Sequence, residues 1–220
     1  MTNQAVENYL KCIYSLTQKG ESPVSTNAIA DRLHTKASSV TDMLKKLKAK
    51  GLVNYEKYQG GSLTAQGEEI AIKVIRKHRL WEVFLVDKLK FGWEEVHDIA
   101  EQLEHIHSPE LVSRLDEFLG RPRLDPHGDP IPDEHGNILV DPEVVSLDQL
   151  ATGERGVVVG VKDSHAEFLS YLQQMKLTLG AELSVINIFE YDDSMKIELD
   201  GSTFQVSNKV SENLQVKRLS

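Results

Sequence analysis

The sequence predicts a mostly α chain with small β parts. An N-terminal winged helix-turn-helix covers 1–70, a helical dimerisation domain 71–140, and a C-terminal SH3-like β-barrel 145–220. Three observations predict this. Residues 4–64 run as helix, helix, turn, helix, hairpin. Residues 64–120 hold three further segments of helical character. Residues 145–220 break into short alternating runs separated by Gly, Asp and Ser.

QAVENYLKCIYSLTQ (4–18) places Val6, Tyr9, Leu10, Ile13, Tyr14 and Leu16 close to a 3.6 period, a first helix ending at Gly20. Ser25 or Thr26 caps a short second helix with Ile29, Ala30 and Leu33 inward. HTKAS is a turn, and SSVTDMLKKLKAK a third helix with Val40, Met43, Leu44 and Leu47 inward and Gly51 closing it. LVNYEKYQGGSLTAQG reads as two short strands around a Gly60-Gly61 turn. A long helix follows from Thr64 to about Leu89, then WEEVHDIAEQLEHIH (93–107), then SPELVSRLDEFLG with a Ser-Pro start and a Gly stop. Their apolar faces are broader than the small first domain needs, which predicts a two-fold dimer interface. Residues 121–143, rich in Pro, Gly and Asp, read as a linker or an ordered loop. In the last third one helix, AEFLSYLQQMKL, interrupts the strands; no internal repeat or low-complexity tract is found.

Composition bounds the function. Hydrophobic content of 40% and charged content of 27% are ordinary for a soluble chain. No eighteen-residue apolar run and no leader pattern are found, so the expected compartment is the cytoplasm, with no membrane partner. A single cysteine, Cys12, excludes an intrachain disulfide and a multi-thiolate zinc site. The net charge of −9 is unevenly spread. Residues 1–80 carry 13 Lys+Arg and 7 Asp+Glu, a balance of +6; residues 81–220 carry 12 and 27, a balance of −15. A basic front half predicts a polyanion partner, and an acidic rear predicts cations.

The third helix names that polyanion. Ser38, Ser39, Thr41, Asp42, Lys45 and Lys46 lie on its outward face, with Lys57 on the wing. Small hydroxyls allow close approach to base edges, and lysines neutralise phosphates, so double-stranded operator DNA is the expected partner.

Two metal-ligand sets fall at helical spacing on the middle helices. Glu101, Glu104 and His105 form one; His78 and Glu82, four apart, form a pair, with His97 one turn before Glu101. Mixed carboxylate and imidazole donors suit Mn²⁺ or Fe²⁺, with Zn²⁺ and Co²⁺ able to substitute. The chain has no HExxH, no G-x-S-x-G and no P-loop, so an enzyme with a small organic substrate is not expected.

These residues carry a resemblance. YLKCIYSL, STNAIADRL, SSVTDMLKKLKAKGLVNYEKYQGGSLTAQG, RKHRLWEVFLV, VHDIAEQLEHIHS and DPHGDPIP resemble the diphtheria toxin repressor family of metal-dependent regulators, over nearly all of the first 140 residues. The resemblance implies two metal sites per subunit. Glu101, Glu104 and His105 match the primary, regulatory site, where iron sensors have a cysteine at the Glu101 position and manganese sensors a glutamate. Asn8 stands where iron sensors have methionine and manganese sensors aspartate, and Lys11 departs from the glutamate that supports a two-metal cluster in short members. His78, Glu82 and His97 match the ancillary site, to which Asp163 of the third domain is expected to contribute, with His165 and Glu167 as weaker alternatives. Asp125 occupies the place of a cysteine ligand in related manganese regulators and is expected to restore the carboxylate that Asn8 lacks. The implied function is a homodimeric repressor that binds palindromic operators when loaded with Mn²⁺ and controls metal-uptake genes. An iron-responsive repressor and a constitutive DNA-binding protein with a structural metal are the alternatives.

Overall fold

The computed structural model describes residues 3–139, 141–163 and 165–219. They group into two compact units. One comprises Met1–His78, Gln102–Ser108 and Pro132–Asn137; the other Arg79–Glu101, Pro109–Ile131 and Ile138–Ser220.

The first unit opens with α1 (Gln4–Gln18), whose N-cap Asn3 side chain accepts from the Val6 amide, 3.0 Å. Ser25 caps α2 (Thr26–Arg32) by accepting from the Ala28 amide, 3.0 Å. Helix α3 (Ala37–Ala49) starts a residue earlier than expected, on an N-cap Lys36 that supplies no side-chain bond. Leu10, Ile13, Ile29, Val40, Leu44 and Leu47 are fully buried, one apolar stripe from each helix. Strands β1 (Val53–Glu56) and β2 (Gly60–Leu63) pair antiparallel from Val53 with Leu63 to Glu56 with Gly60. The expected Gly60-Gly61 turn is therefore corrected: the loop is Lys57-Tyr58-Gln59, with Tyr58 at φ 71°, and both glycines lie in β2. Val24 and Gly61 exchange both backbone bonds at 2.9 Å, extending the wing. Thr64 then caps α4 (Ala65–Asp87), its hydroxyl accepting from the Gly67 amide, 3.1 Å.

The second unit takes α4 from Arg79 onward, most of α5 (Val96–Leu103), α6 (Pro109–Phe118) and the C-terminal sheet. Leu80, Val83, Leu115 and Ile131 form one core with Trp81 and Phe84 packed against it, the two rings edge to face at 5.7 Å. Strands β3 (Val144–Ser146), β4 (Arg155–Val161), β5 (Glu182–Ile188), β6 (Met195–Leu199), β7 (Ser202–Val206) and β8 (Leu214–Leu219) form an antiparallel sheet in the order β3-β8-β4-β5-β6-β7. Helix α7 (Ala166–Gln174) is the expected interruption. A second helix, α8 (Asn208–Asn213), falls where only strands were expected; six residues are too few to show a period. Leu147, Leu169, Leu172, Leu177, Ile197 and Leu214 are fully buried in the core of this sheet, which Trp93 also joins. No helix among the described residues is long and apolar enough to cross a membrane.

Helix α5 ends at Leu103, shorter than the expected 93–107. Glu104 and His105 sit in the turn after it, where the Ile106 amide donates to the Leu103 carbonyl, 3.2 Å. The one-face-of-a-helix argument thus fails for these two. They converge through a turn.

Candidate metal centres

In the first unit, α1 and the 104–105 turn bring together a buried polar cluster. Glu7 is 2% exposed and Glu104 0%. Burying two carboxylates costs several kcal/mol each unless cations or donors reach them. Three groups do. Lys11 Nζ donates to Glu104 Oε2 at 2.6 Å and lies 3.2 Å from His78 Nδ1. His78 Nδ1 lies 2.7 Å from the same Oε2, and His105 Nδ1 lies 2.7 Å from Glu7 Oε2.

That satisfaction is incomplete. Asn8 Oδ1, Glu104 Oε1 and His105 Nε2 are buried without a hydrogen-bond partner among the described residues. Glu104 Oε1 and His105 Nε2 lie 3.6 Å apart, too far for a hydrogen bond. An amide oxygen, a carboxylate oxygen and an imidazole nitrogen left in this state are each ligand atoms that a hard or borderline divalent cation would satisfy. These residues fit such an ion.

The second unit builds another cluster around Glu82, 1% exposed on α4. Its Oε1 is 3.4 Å from His97 Nδ1, and His97 Nε2 is 3.7 Å from Glu101 Oε1. Its Oε2 is 3.6 Å from His127 Nδ1. Glu82, Asp125 and His127 are all buried and offer ligand atoms within 4.8 Å of one another. The turn Asp125-Pro126-His127-Gly128-Asp129 presents two of them. Asp125 Oδ1 accepts from the amides of His127, 2.8 Å, and Asp129, 2.9 Å. His127 Nε2 lies 2.7 Å from the Trp93 carbonyl. A carbonyl only accepts, so Nε2 carries the proton and the Nδ1 side faces Glu82, the arrangement a ligating imidazole needs.

The electrostatics of this cluster agree with a cation site. Burial, with the charges of Glu82 and Asp129, pushes Asp125 up to about 7. For His127 burial opposes the charged form, but the Glu82 and Asp125 carboxylates prevail and carry it up to about 9. Excess negative charge is held here by protons and by Arg79, whose guanidinium lies 3.6 Å from Asp125 and 3.5 Å from Asp129.

Asp125 was expected to complement Asn8. Its contacts instead are His127, Asp129, Arg79 and Glu82, so its carboxylate belongs with the second-unit cluster. Asp163 is engaged by His165, through both its amide and its ring. On α3, Ser38, Ser39, Asp42, Lys45 and Lys46 are exposed and Thr41 half-buried; Lys57 is exposed at the wing. Asp42 and Lys45 pair at 3.3 Å, and Lys48 is committed to the Tyr55 carbonyl, 2.8 Å.

With this geometry in view, the comparisons with known proteins are specific. Three family models tile the chain: iron dependent repressor N-terminal DNA binding domain at 1–61, iron dependent repressor metal binding and dimerisation domain at 64–133, and FeoA domain at 145–218. The manganese regulator SloR, a solved structure, is 35% identical, with all of both chains covered and a TM-score of 0.74. The chain belongs to the diphtheria toxin repressor family. A second solved member, a manganese-dependent transcriptional repressor in complex with manganese, is 33% identical, with 97% of this chain and 100% of that one covered and a TM-score of 0.84. The iron-dependent repressor IdeR of Mycobacterium leprae is 38% identical over 126 residues, 57% of this chain. The chain spans about half the length of that curated relative, 54%. The last two of these relatives, and the diphtheria toxin repressor of Corynebacterium jeikeium, 36% identical over 145 residues, are named as repressors.

Two polar residues at these clusters escaped the sequence reading. His127 stood in plain view in DPHGDP, and its only signal was a histidine inside an Asp-Gly turn. Glu7 carried a weaker one: it falls on the apolar stripe of α1, where an acid has no reason to be unless it is partnered.

Proposed function

We propose that this family member is a Mn²⁺-responsive repressor that binds palindromic operator DNA as a homodimer and controls metal-uptake genes. The observation that carries the reading is the trio of buried, unpartnered donors Asn8 Oδ1, Glu104 Oε1 and His105 Nε2, in the same compact unit as the helix bearing Ser38, Ser39 and Lys45. When bound, a divalent cation supplies positive charge and a multidentate link among these donors. The chain's own residues do the rest. Asn8 on α1 and Glu104 and His105 in the turn would hold the ion. Their joint use immobilises α1, and α1 packs against α2 and β2 of the winged helix. The face of α3 then reads base edges, with Lys45, Lys46 and Lys57 on phosphates.

Glu82, His97, Asp125 and His127 would hold a second ion in the other unit, with Glu101 at its edge through His97. Manganese is favoured over iron because no thiolate or thioether stands among these donors, and oxygen donors match a hard ion. Phe118, 64% exposed at the end of α6, and Leu89, 53% exposed after α4, supply apolar surface for the dimer.

The test is selection of duplex DNA by the purified protein under anaerobic buffering with Mn²⁺, Fe²⁺ or Zn²⁺. A palindrome recovered best with Mn²⁺, and lost with Glu104→Ala and His105→Ala but not with Cys12→Ser, is the expected result. Recovery of the same palindrome without any metal would reduce the ion to a structural part.

A further inference from the structure

The unexplained group in the first unit is Glu7. It is a carboxylate 2% exposed on the buried stripe of α1, flanked in the helix by Val6 and Leu10, both buried as well. Its Oε2 lies 2.7 Å from His105 Nδ1 and its Oε1 3.7 Å from His107 Nδ1. The other nitrogen of His105, Nε2, is one of three buried atoms in this unit without a hydrogen-bond partner among the described residues, and it lies 3.6 Å from Glu104 Oε1.

Imidazole chemistry connects these facts. A neutral imidazole carries one N–H and one lone pair. An ionised carboxylate only accepts, so the short contact with Glu7 places the N–H on Nδ1 and leaves the lone pair on Nε2. Two lone-pair atoms, Nε2 and Glu104 Oε1, then face each other across 3.6 Å with no donor between them. A histidine that donates one N–H to a carboxylate while its other nitrogen meets a metal has a fixed ring and a more basic ligand atom.

We propose that Glu7 is a positioning residue of the metal site: from α1 it holds His105 in the Nδ1–H form and presents Nε2 to the ion. This rests on the proposed regulatory site of Glu104 and His105. It also gives α1 a second tie to the 104–105 turn besides Asn8, one that does not depend on the neutral amide as a ligand. The role differs from ligation, since Glu7 acts through the ring nitrogen remote from the ion.

Direct Mn²⁺ binding to the full chain, followed by the paramagnetic signal of free ion without DNA, separates the possibilities. Glu7→Ala should weaken binding at this site roughly 10–100-fold. Glu7→Gln, whose amide oxygen accepts the same bond, should recover most of that loss. Equal losses for both variants, or none for either, would overturn the proposal. Glu104→Ala is the control: if it too leaves binding intact, the site assignment has failed rather than the role of Glu7. Histidine ¹⁵N spectra of the wild-type, Zn²⁺-loaded protein add a readout independent of any variant's folding. They should show His105 protonated on Nδ1 and coordinated through Nε2. Coordination through Nδ1 contradicts the proposal.

Discussion

Two turns in this chain have the same backbone and different chemistry. Asp125-Pro-His-Gly-Asp129 and Asp133-Glu-His-Gly-Asn137 are a five-residue repeat, eight positions apart, that the sequence reading did not find. In each, the aspartate Oδ1 accepts from the amides two and four residues on: 2.8 and 2.9 Å in the first, 2.8 and 2.8 Å in the second. In each, the glycine has φ 86° and its amide donates to the aspartate carbonyl. Yet the first aspartate is raised to about 7, by burial and the nearby Glu82 and Asp129 charges, and the second is lowered, by the Asn137 side chain and the turn's own amides. His127 is 4% exposed, whereas the side chain of His135 is 76% exposed. The turn is only a scaffold. A buried carboxylate from α4 and a carbonyl from Trp93 give one copy the donors of a candidate cation site; the other is a solvated loop.

The two turns should differ most at their glycines. A Cβ on Gly128 would meet Gly160 Cα at 2.3 Å and the Val159 carbonyl oxygen at 2.4 Å, backbone that cannot swing aside. A Cβ on Gly136 meets only Ile72 Cγ2, at 3.3 Å. Gly128→Ala should therefore cost on the order of 3 kcal/mol or more, and Gly136→Ala about 1 kcal/mol from the left-handed φ alone. Urea denaturation of the pair checks this, and equal costs would mean that the β4 contact bears no load.

The next effect is on metal. His127→Ala should lower Mn²⁺ affinity at the second-unit site on the order of 100-fold, while His135→Ala leaves both sites unchanged. Competition with a fluorescent chelator reads both, and a loss with His135→Ala would show that the exposed copy also binds. Asp125→Ala removes a ligand and two turn bonds, so metal affinity and stability should fall together. Asp133→Ala should cost only about 1 kcal/mol of stability, with metal titrations superimposable on wild type.

What could be read in advance follows the range of the forces involved. Helices α1, α2 and α3 were legible because apolar period and caps are local; the cap of α2 was narrowed to Ser25 or Thr26, and Ser25 fills it. The wing turn was misplaced because the loop is Lys57-Tyr58-Gln59, with the non-glycine Tyr58 at positive φ, while Gly60, also at positive φ, already pairs with Glu56. Glu104 and His105 were picked correctly as neighbours but on the wrong element, since a turn and a helix end place adjacent residues almost alike. Glu7 and His127 left only weak local signals. Their burial is set by His105, 98 residues from Glu7, and by Trp93, 34 residues from His127, which no local spacing records. Asp125 was expected beside Asn8, and its contacts are instead with His127, Asp129, Arg79 and Glu82, for the same reason.

In the proposed function, a divalent ion held by the first-unit donors switches DNA binding. Fluorescence anisotropy of a selected palindromic duplex, titrated with protein in Mn²⁺ buffers against a chelated reference, tests it most directly. Binding should rise with free Mn²⁺, vanish on chelation and be lost in Glu104→Ala. Equal anisotropy curves for the chelated and Mn²⁺-loaded protein would contradict it.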